Sequence, residues 1–205
     1  MMLSVGILSI VSLLGFVVLR SSNESARMTE AQAAVQQNLR NCMAALTAEL
    51  RAAYTTRVTN SAAWPSNKPA AIAVTNGGKT VTFQKPSPSN TTPIPLASTP
   101  ITISFQNEDA SAYGTSGYAR LDSGEDTNGD GVLTRRLVRT QGGSTSVIGA
   151  SNDLSLVQFT LEPNLNTKSQ DKTTLRIRLQ SAKRFGANGK YLVRAELESS
   201  IHLEN

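Results

Sequence analysis

The chain has 205 residues, a formal net charge of +5, 39% hydrophobic residues and only 5% aromatic ones. That length accommodates one membrane or stalk element plus one modest domain, and the mild positive charge permits anionic partners such as lipid head groups or nucleic acid without requiring them. With a single cysteine, Cys42, and a single histidine, His202, an intramolecular disulfide is excluded, a Cys/His zinc centre nearly so, and a histidine-based nucleophile system has one badly placed residue to rely on.

Residues 1–19 carry no charge, and the first charged side chain is Arg20. A membrane-spanning helix needs about 20 predominantly apolar residues. A cleaved secretory signal has a basic segment, a shorter apolar core and a small-residue cleavage site, and this stretch has none of the three. A retained membrane helix over 1–19 is the better reading, in a single-pass protein. From Arg20 to Tyr54 there is no Pro or Gly, and Ala, Gln, Leu, Glu and Arg dominate. Apolar residues recur in steps of three or four at Met28, Ala31, Val35, Leu39, Cys42, Leu46, Leu50 and Ala53, while Glu30, Gln37, Arg40, Asn41, Thr47, Glu49 and Arg51 occupy the opposite face. Residues 1–56 therefore read as one helix, roughly 80 Å long at ~1.5 Å per residue. Its apolar half covers 1–19 and its amphipathic half 20–56, and alone this pattern equally fits a membrane helix followed by a coiled-coil stalk.

Helix signals stop at "TNSAAWPSNKPAA", where Pro65 and Pro69 break the pattern and Trp64 is expected to pack the linker onto the helix. A β-rich domain is expected over 57–205. "AIAVT" (71–75) and "TVTFQK" (80–85) flank the hairpin signal "NGGK". "PSPSNTTPIPLASTP" (86–100) contains five prolines and reads as an irregular crossing. "ITISFQN" (101–107) alternates as a half-buried strand. "SGYARLDS" and "VLTRRLVRTQ" flank an acidic turn, and "DLSLVQFTLEP", "TTLRIRLQSAKRF" and "KYLVRAELESSIHLE" complete the set. In "LRIRLQ", Leu175, Ile177 and Leu179 share one face and Arg176 and Arg178 the other, which predicts a basic outward face. An antiparallel sheet whose inner face lies on the amphipathic helix satisfies both patterns, so the expected fold is α+β.

These residues resemble a known family. A half-apolar N-terminal helix, continuous with an amphipathic half that packs on a C-terminal sheet, looks like the type IV pilin and type II secretion pseudopilin class. "MMLSVGILSIVSLLGFVVLRS" is similar to the run that follows that family's invariant Glu, so the resemblance implies a leader, a cleavage site and that Glu ahead of Met1. "VQQNLRNCMAALTAELRAAY", "EDTNGDGVLTRRLVRTQGG" with "NDLSLVQFTLEPN", and "YLVRAELESSIHLEN" resemble the second helical half, mid-domain strands and last strand of the J-type minor pseudopilin and W-type minor pilin.

Four candidate sites stand out. "DTNGDG" begins like a calcium loop, with Asp126, Asn128 and Asp130 as side-chain ligands and Val132 as a carbonyl ligand. Position twelve is Leu137 rather than an acid, with Asp122 and Glu125 as nearby substitutes, and the same residues make a plain hairpin turn. Arg135, Arg136, Arg176 and Arg178, with Arg139, Lys183, Arg184, Lys190 and Arg194, form a possible anion-binding set for nucleic acid. No aromatic residues interleave with them, and Glu162, Asp171, Glu196 and Glu198 lie in the same strands, so a solvated face with cross-strand pairs is the competing reading. Cys42, on the apolar helix face, reads as a small core residue. Finally, the helix face built on Met28, Ala31, Val35, Leu39, Leu46 and Leu50, with its small alanines, is expected to bring helices of neighbouring subunits together, although part of it must also cover the sheet.

The resemblance implies a minor pilin or pseudopilin, anchored in the bacterial inner membrane with its β-domain in the periplasm or extracellular in a filament. Such a subunit would assemble through its N-terminal helix into a type II secretion pseudopilus or type IV pilus, at or near the tip as part of an initiation complex. Its partners would be other minor subunits, the major subunit and inner-membrane lipid. No enzyme activity, small-molecule substrate or certain cofactor is expected, calcium being the one possibility. The alternatives are a DNA- or surface-binding pilin using the basic strands, and a membrane-anchored β-domain unrelated to filaments.

Overall fold

A computed structural model of the chain describes residues 2–53, 72–85, 99–107, 131–149, 154–163, 172–185 and 191–202. One helix, α1 (Met2–Arg51), runs without interruption across both halves of the N-terminal pattern. Between Ile7 and Leu19 its ten large apolar side chains are each 56–68% exposed, so no part of this chain's described structure covers them. This stretch makes α1 long and apolar enough to cross a membrane.

The second half behaves differently because its apolar residues are periodic. Val35, Leu39, Cys42, Met43, Leu46, Leu50 and Ala53 are buried along one face, while Ala33, Ala34, Gln37, Arg40, Ala44 and Ala48 remain exposed. Full burial of Leu39, Leu46 and Leu50 contributes about 1.5–3 kcal/mol each. The helix closes at Arg51, earlier than the expected limit near 56, where the Ala53 N–H donates to Leu50 O at 3.0 Å. This i→i+3 bond tightens the last turn and ends the α-helical ladder.

Eight described strands form one antiparallel sheet: β1 (Ile72–Thr75), β2 (Thr80–Phe83), β3 (Ile101–Asn107), β4 (Arg135–Gln141), β5 (Ser144–Ile148), β6 (Leu154–Pro163), β7 (Lys172–Phe185) and β8 (Tyr191–His202). The order is β1-β2-β3-β4-β6-β7-β8, with β5 folded back on β4. The α+β architecture expected from sequence, a long N-terminal helix on an antiparallel sheet, is the observed fold. The linker with Trp64, the segment "SGYARLDS" and residues 86–98 of the proline-rich crossing lie outside the described residues.

The sheet has two halves. One edge of β4 pairs with β3 along its whole length, while the other is occupied mainly by β5, from Leu137↔Ile148 to Gln141↔Ser144. Only the Arg135↔Leu154 pair remains to join β4 to β6. A second tie compensates. The β1–β2 turn, Asn76-Gly77-Gly78-Lys79, lies along the edge of β6 that β7 does not use. Lys79 Nζ donates to Val157 O at 2.6 Å, and Gln158 Nε2 donates to Gly77 O at 3.1 Å. Asn76, Gly77 and Gly78 all have φ between 53° and 85°, which explains an Asn-Gly-Gly sequence here. The turn also caps backbone acceptors that an open strand edge would expose.

Residues directly opposite one another share a face. Ile101, Ile103, Phe105, Leu137, Val157, Phe159, Leu175, Ile177, Leu179 and Ile201 therefore line one surface, and with Leu39, Leu46 and Leu50 they form a single core cluster. The helix packs mainly across β7 and β8 and touches β5.

Candidate functional site

The six helix residues expected to mediate assembly separate into two groups. Val35, Leu39, Leu46 and Leu50 are at most 2% exposed within this chain, so the sheet already occupies them. Met28 is exposed and Ala31 half-buried. The surface α1 still offers to another helix is its whole circumference from residue 6 to 30, followed by the exposed alanine-rich side at Ala33, Ala34, Ala44 and Ala48.

The basic residues also separate. Alternation along β4 turns Arg135 and Arg139 toward the helix side of the sheet and Arg136 to the other side, because Arg135 and Arg139 share the phase of Leu137. Arg135 holds its guanidinium 5.5 Å from the centre of the Phe105 ring. Arg136 is half-buried opposite Gln106. Arg176 and Arg178 do face outward, as predicted, but in company with carboxylates. Arg176 pairs with Glu198 and, at 3.3 Å, with Glu162. Arg178 pairs with Glu196, which also accepts from Gln180. Their hydrogen bonds to Glu198 and Glu196, reinforced by charge, push both guanidinium pKa values upward, and the Arg178 and Gln180 hydrogen bonds hold Glu196 below the usual carboxylate range. The expected basic stripe is thus corrected: Arg176 and Arg178 sit in a lattice of cross-strand pairs with glutamates, and the four arginines do not point one way.

A charged seam lies where sequence periodicity predicts a solvent face. Glu49 of α1 leans onto the sheet between two cations, with Lys85 Nζ at 2.9 Å and Arg139 Nε at 3.4 Å. Burial alone raises the Glu49 pKa. The hydrogen bonds and charges of Lys85 and Arg139 outweigh it, so the carboxyl sits below its ordinary range. Arg139 is held in turn by Gln141, 2.5 Å away. Glu49 ties the end of the helix to β4 and to the segment after β2, the half of the sheet that α1 otherwise touches least. Its position three residues after Leu46 and four before Ala53 marks it as a flank of the apolar stripe. Nothing near it in sequence identifies partners 36 and 90 positions away.

Cys42 is a packed core residue. Burial raises its thiol to about 11, and Sγ donates weakly to Ile148 O at 3.6 Å. Gly149, at φ 74°, passes so close that a Cβ there would stand 3.2 Å from the Cys42 sulfur. His202, near the end of β8, contacts Thr174 Oγ1 through Nδ1 at 3.1 Å, a cross-strand contact.

Of the candidate calcium ligands, Asp126, Asn128 and Asp130 lie outside the described residues. Val132 is half-buried and follows Gly131, which has a φ of 68°. Among the described residues no three His, Cys, Asp or Glu side chains gather as a metal site. No family model, curated protein or solved structure matches this chain.

Proposed function

We propose that this chain is a membrane-anchored filament subunit of the minor pilin or pseudopilin kind, working through helix packing rather than chemistry. The observation that carries the reading is the contrast along α1. The same continuous helix has its large apolar side chains buried from Val35 onward and has ten large apolar side chains with no described cover before Arg20. Lipid covers such a surface while the subunit waits in the membrane, and neighbouring helices cover it in an assembled bundle. The β-domain then lies on the far side of Arg20, outside the bilayer, where the resemblance to pilin-like proteins places a periplasmic head. The resemblance to the J-type pseudopilin and W-type minor pilin favours an initiating or tip-proximal place among other minor subunits. The nucleic-acid alternative loses ground because Arg176 and Arg178 are already paired with three glutamates.

The test is disulfide trapping in membranes of cells that express the full chain with a pilus or secretion-filament machine. Ile7→Cys, Leu14→Cys and Val18→Cys, each oxidised with copper phenanthroline in cells whose other filament subunits carry single cysteines in their apolar N-terminal helices, are expected to give disulfide-linked species, and the chain is expected in the sheared filament fraction. Exclusively monomeric chain, absent from sheared material, would leave a membrane-anchored β-domain and discard the filament reading.

A further inference from the structure

The hairpin of β7 and β8 runs back along α1 toward its apolar half. At its tip Phe185 and Tyr191 are directly paired and their rings stack with centres 5.3 Å apart. Tyr191 Oη donates to Glu24 Oε2 at 3.3 Å, and the same glutamate lies 3.6 Å from Arg20. This contact fixes the height of the Phe185–Tyr191 pair on the helix. Glu24 is four residues past Arg20, the first charge after the apolar run, and so about 6 Å along the axis. The polar headgroup layer of one leaflet is about 5–8 Å deep. With α1 spanning a bilayer up to Leu19, the aromatic pair is level with the headgroups.

The side chains around that pair suit this position. Leu192 is 39% exposed, and Arg184 and Arg194 are exposed beside it on the outer face, while Lys183 is half-buried on the helix side. Three cations and no acid thus occupy the described residues 182–185 and 191–194. On the adjoining helix Glu24 and Glu30 are balanced by Arg20 and Arg27. Further up the same strands Arg176 and Arg178 alternate with Glu196 and Glu198, whereas the described residues at the end nearest the membrane carry a net positive charge. An amphipathic aromatic ring, an exposed leucine and a cluster of Lys and Arg are what an anionic headgroup layer binds.

From this geometry we infer that the Phe185–Tyr191 end of strands β7 and β8 docks on anionic phospholipid headgroups of the bilayer that α1 crosses. This inference rests on the membrane anchoring of α1. Docking holds the head against the membrane before assembly, and extraction of the subunit into a filament must break it. Each basic residue near an anionic surface favours the docked state by about fivefold.

The test uses the full chain reconstituted in phosphatidylcholine vesicles, with or without about three parts in ten of phosphatidylglycerol. A fluorophore is placed at Leu192→Cys, with a control at Thr160→Cys on β6, and quenching by a headgroup-nitroxide lipid is measured. Cys42 does not compete for the label because it is buried. Quenching at position 192 should rise severalfold over the control in anionic vesicles. It should fall when salt is raised from about 0.1 M to about 1 M, which shortens the screening length from about 10 to about 3 Å. It should also fall in the Lys183→Gln/Arg184→Gln/Arg194→Gln variant. Equal quenching in both lipid compositions and in the variant, from a chain that still floats with the vesicles, would overturn docking alone. A chain that fails to float would overturn the membrane anchoring and docking with it.

Discussion

Gly78 provides the sharpest test of how the two halves of the sheet are held together. Its φ is 85°, and a Cβ at that position would lie 1.9 Å from Gln158 Nε2 and 2.8 Å from Phe159 O. Gly143, in the β4–β5 turn, has a φ of 84° but nothing within 4 Å of its would-be Cβ. Gly143→Ala therefore measures backbone strain alone, about 1–2 kcal/mol. Gly78→Ala carries the same strain and adds a collision. Gln158 must swing away, giving up its bonds to Gly77 O and Lys79 Nζ at about 0.5–1.5 kcal/mol each, and the β6 backbone at Phe159 must retreat. The total is about 2–5 kcal/mol, of which about 1–3 kcal/mol is absent from Gly143→Ala. For a chain of this size about 2–4 °C of Tm accompanies each kcal/mol, so Gly78→Ala should melt about 2–12 °C below Gly143→Ala. Thermal unfolding of the full chain in detergent micelles, followed by far-UV circular dichroism, reads the difference. Equal melting temperatures for the two variants would refute the argument that this turn clamps β6.

The halves of α1 should respond differently to the same substitution. Leu46→Ala removes a side chain that is 0% exposed and should cost about 2–5 kcal/mol in urea denaturation of the head. Leu14→Ala, at a site 58% exposed, should stay within about 0.5 kcal/mol of the parent. The Glu49 seam makes stability pH-dependent. Its folded pKa is lowered, so its contribution is complete above the unfolded value near 4.5 and is lost as pH falls through the folded one. Glu49→Gln should destabilise at neutral pH by about 1–2 kcal/mol, between the values for exposed and buried pairs. It should also flatten the acid arm of a stability–pH profile, and an unchanged arm would show that Glu49 does not carry this dependence. Cys42, raised from 9.0 to about 11, should react with iodoacetamide at pH 8 about a hundredfold more slowly in the folded chain than after denaturation.

Much of this protein follows from local chemistry alone. Nineteen uncharged residues followed by a Pro- and Gly-free amphipathic run determine a long helix with one half apolar all round and the other apolar on one face, since helical periodicity needs no distant information. Alternation in "ITISFQN" and "TTLRIRLQSAKRF" determines strands and their inner faces, and Asn-Gly-Gly determines the first hairpin. The fifth strand, Ser144–Ile148, escapes an apolar pattern because Ser144, Thr145, Ser146 and Val147 are all exposed. Its one local signal is the two-residue Gly142-Gly143 turn, with φ 57° and 84°, of the type that reverses antiparallel strands.

What the tertiary structure decided is which side chains meet. Strand pairing brings Arg176 and Arg178 beside Glu162, Glu196 and Glu198, so two arginines that alternation marks as a basic face are engaged by carboxylates. The docking of helix on sheet places Glu49 between Lys85 and Arg139, though periodicity alone assigns it to solvent. The return of β8 along α1 sets Tyr191 against Glu24, which gives the Phe185–Tyr191 pair its height above the apolar segment. Each depends on contacts between residues 14 to 167 positions apart. Chain order carries no signal for such pairs, because charge and hydrogen bonding act through space and the fold sets the distances.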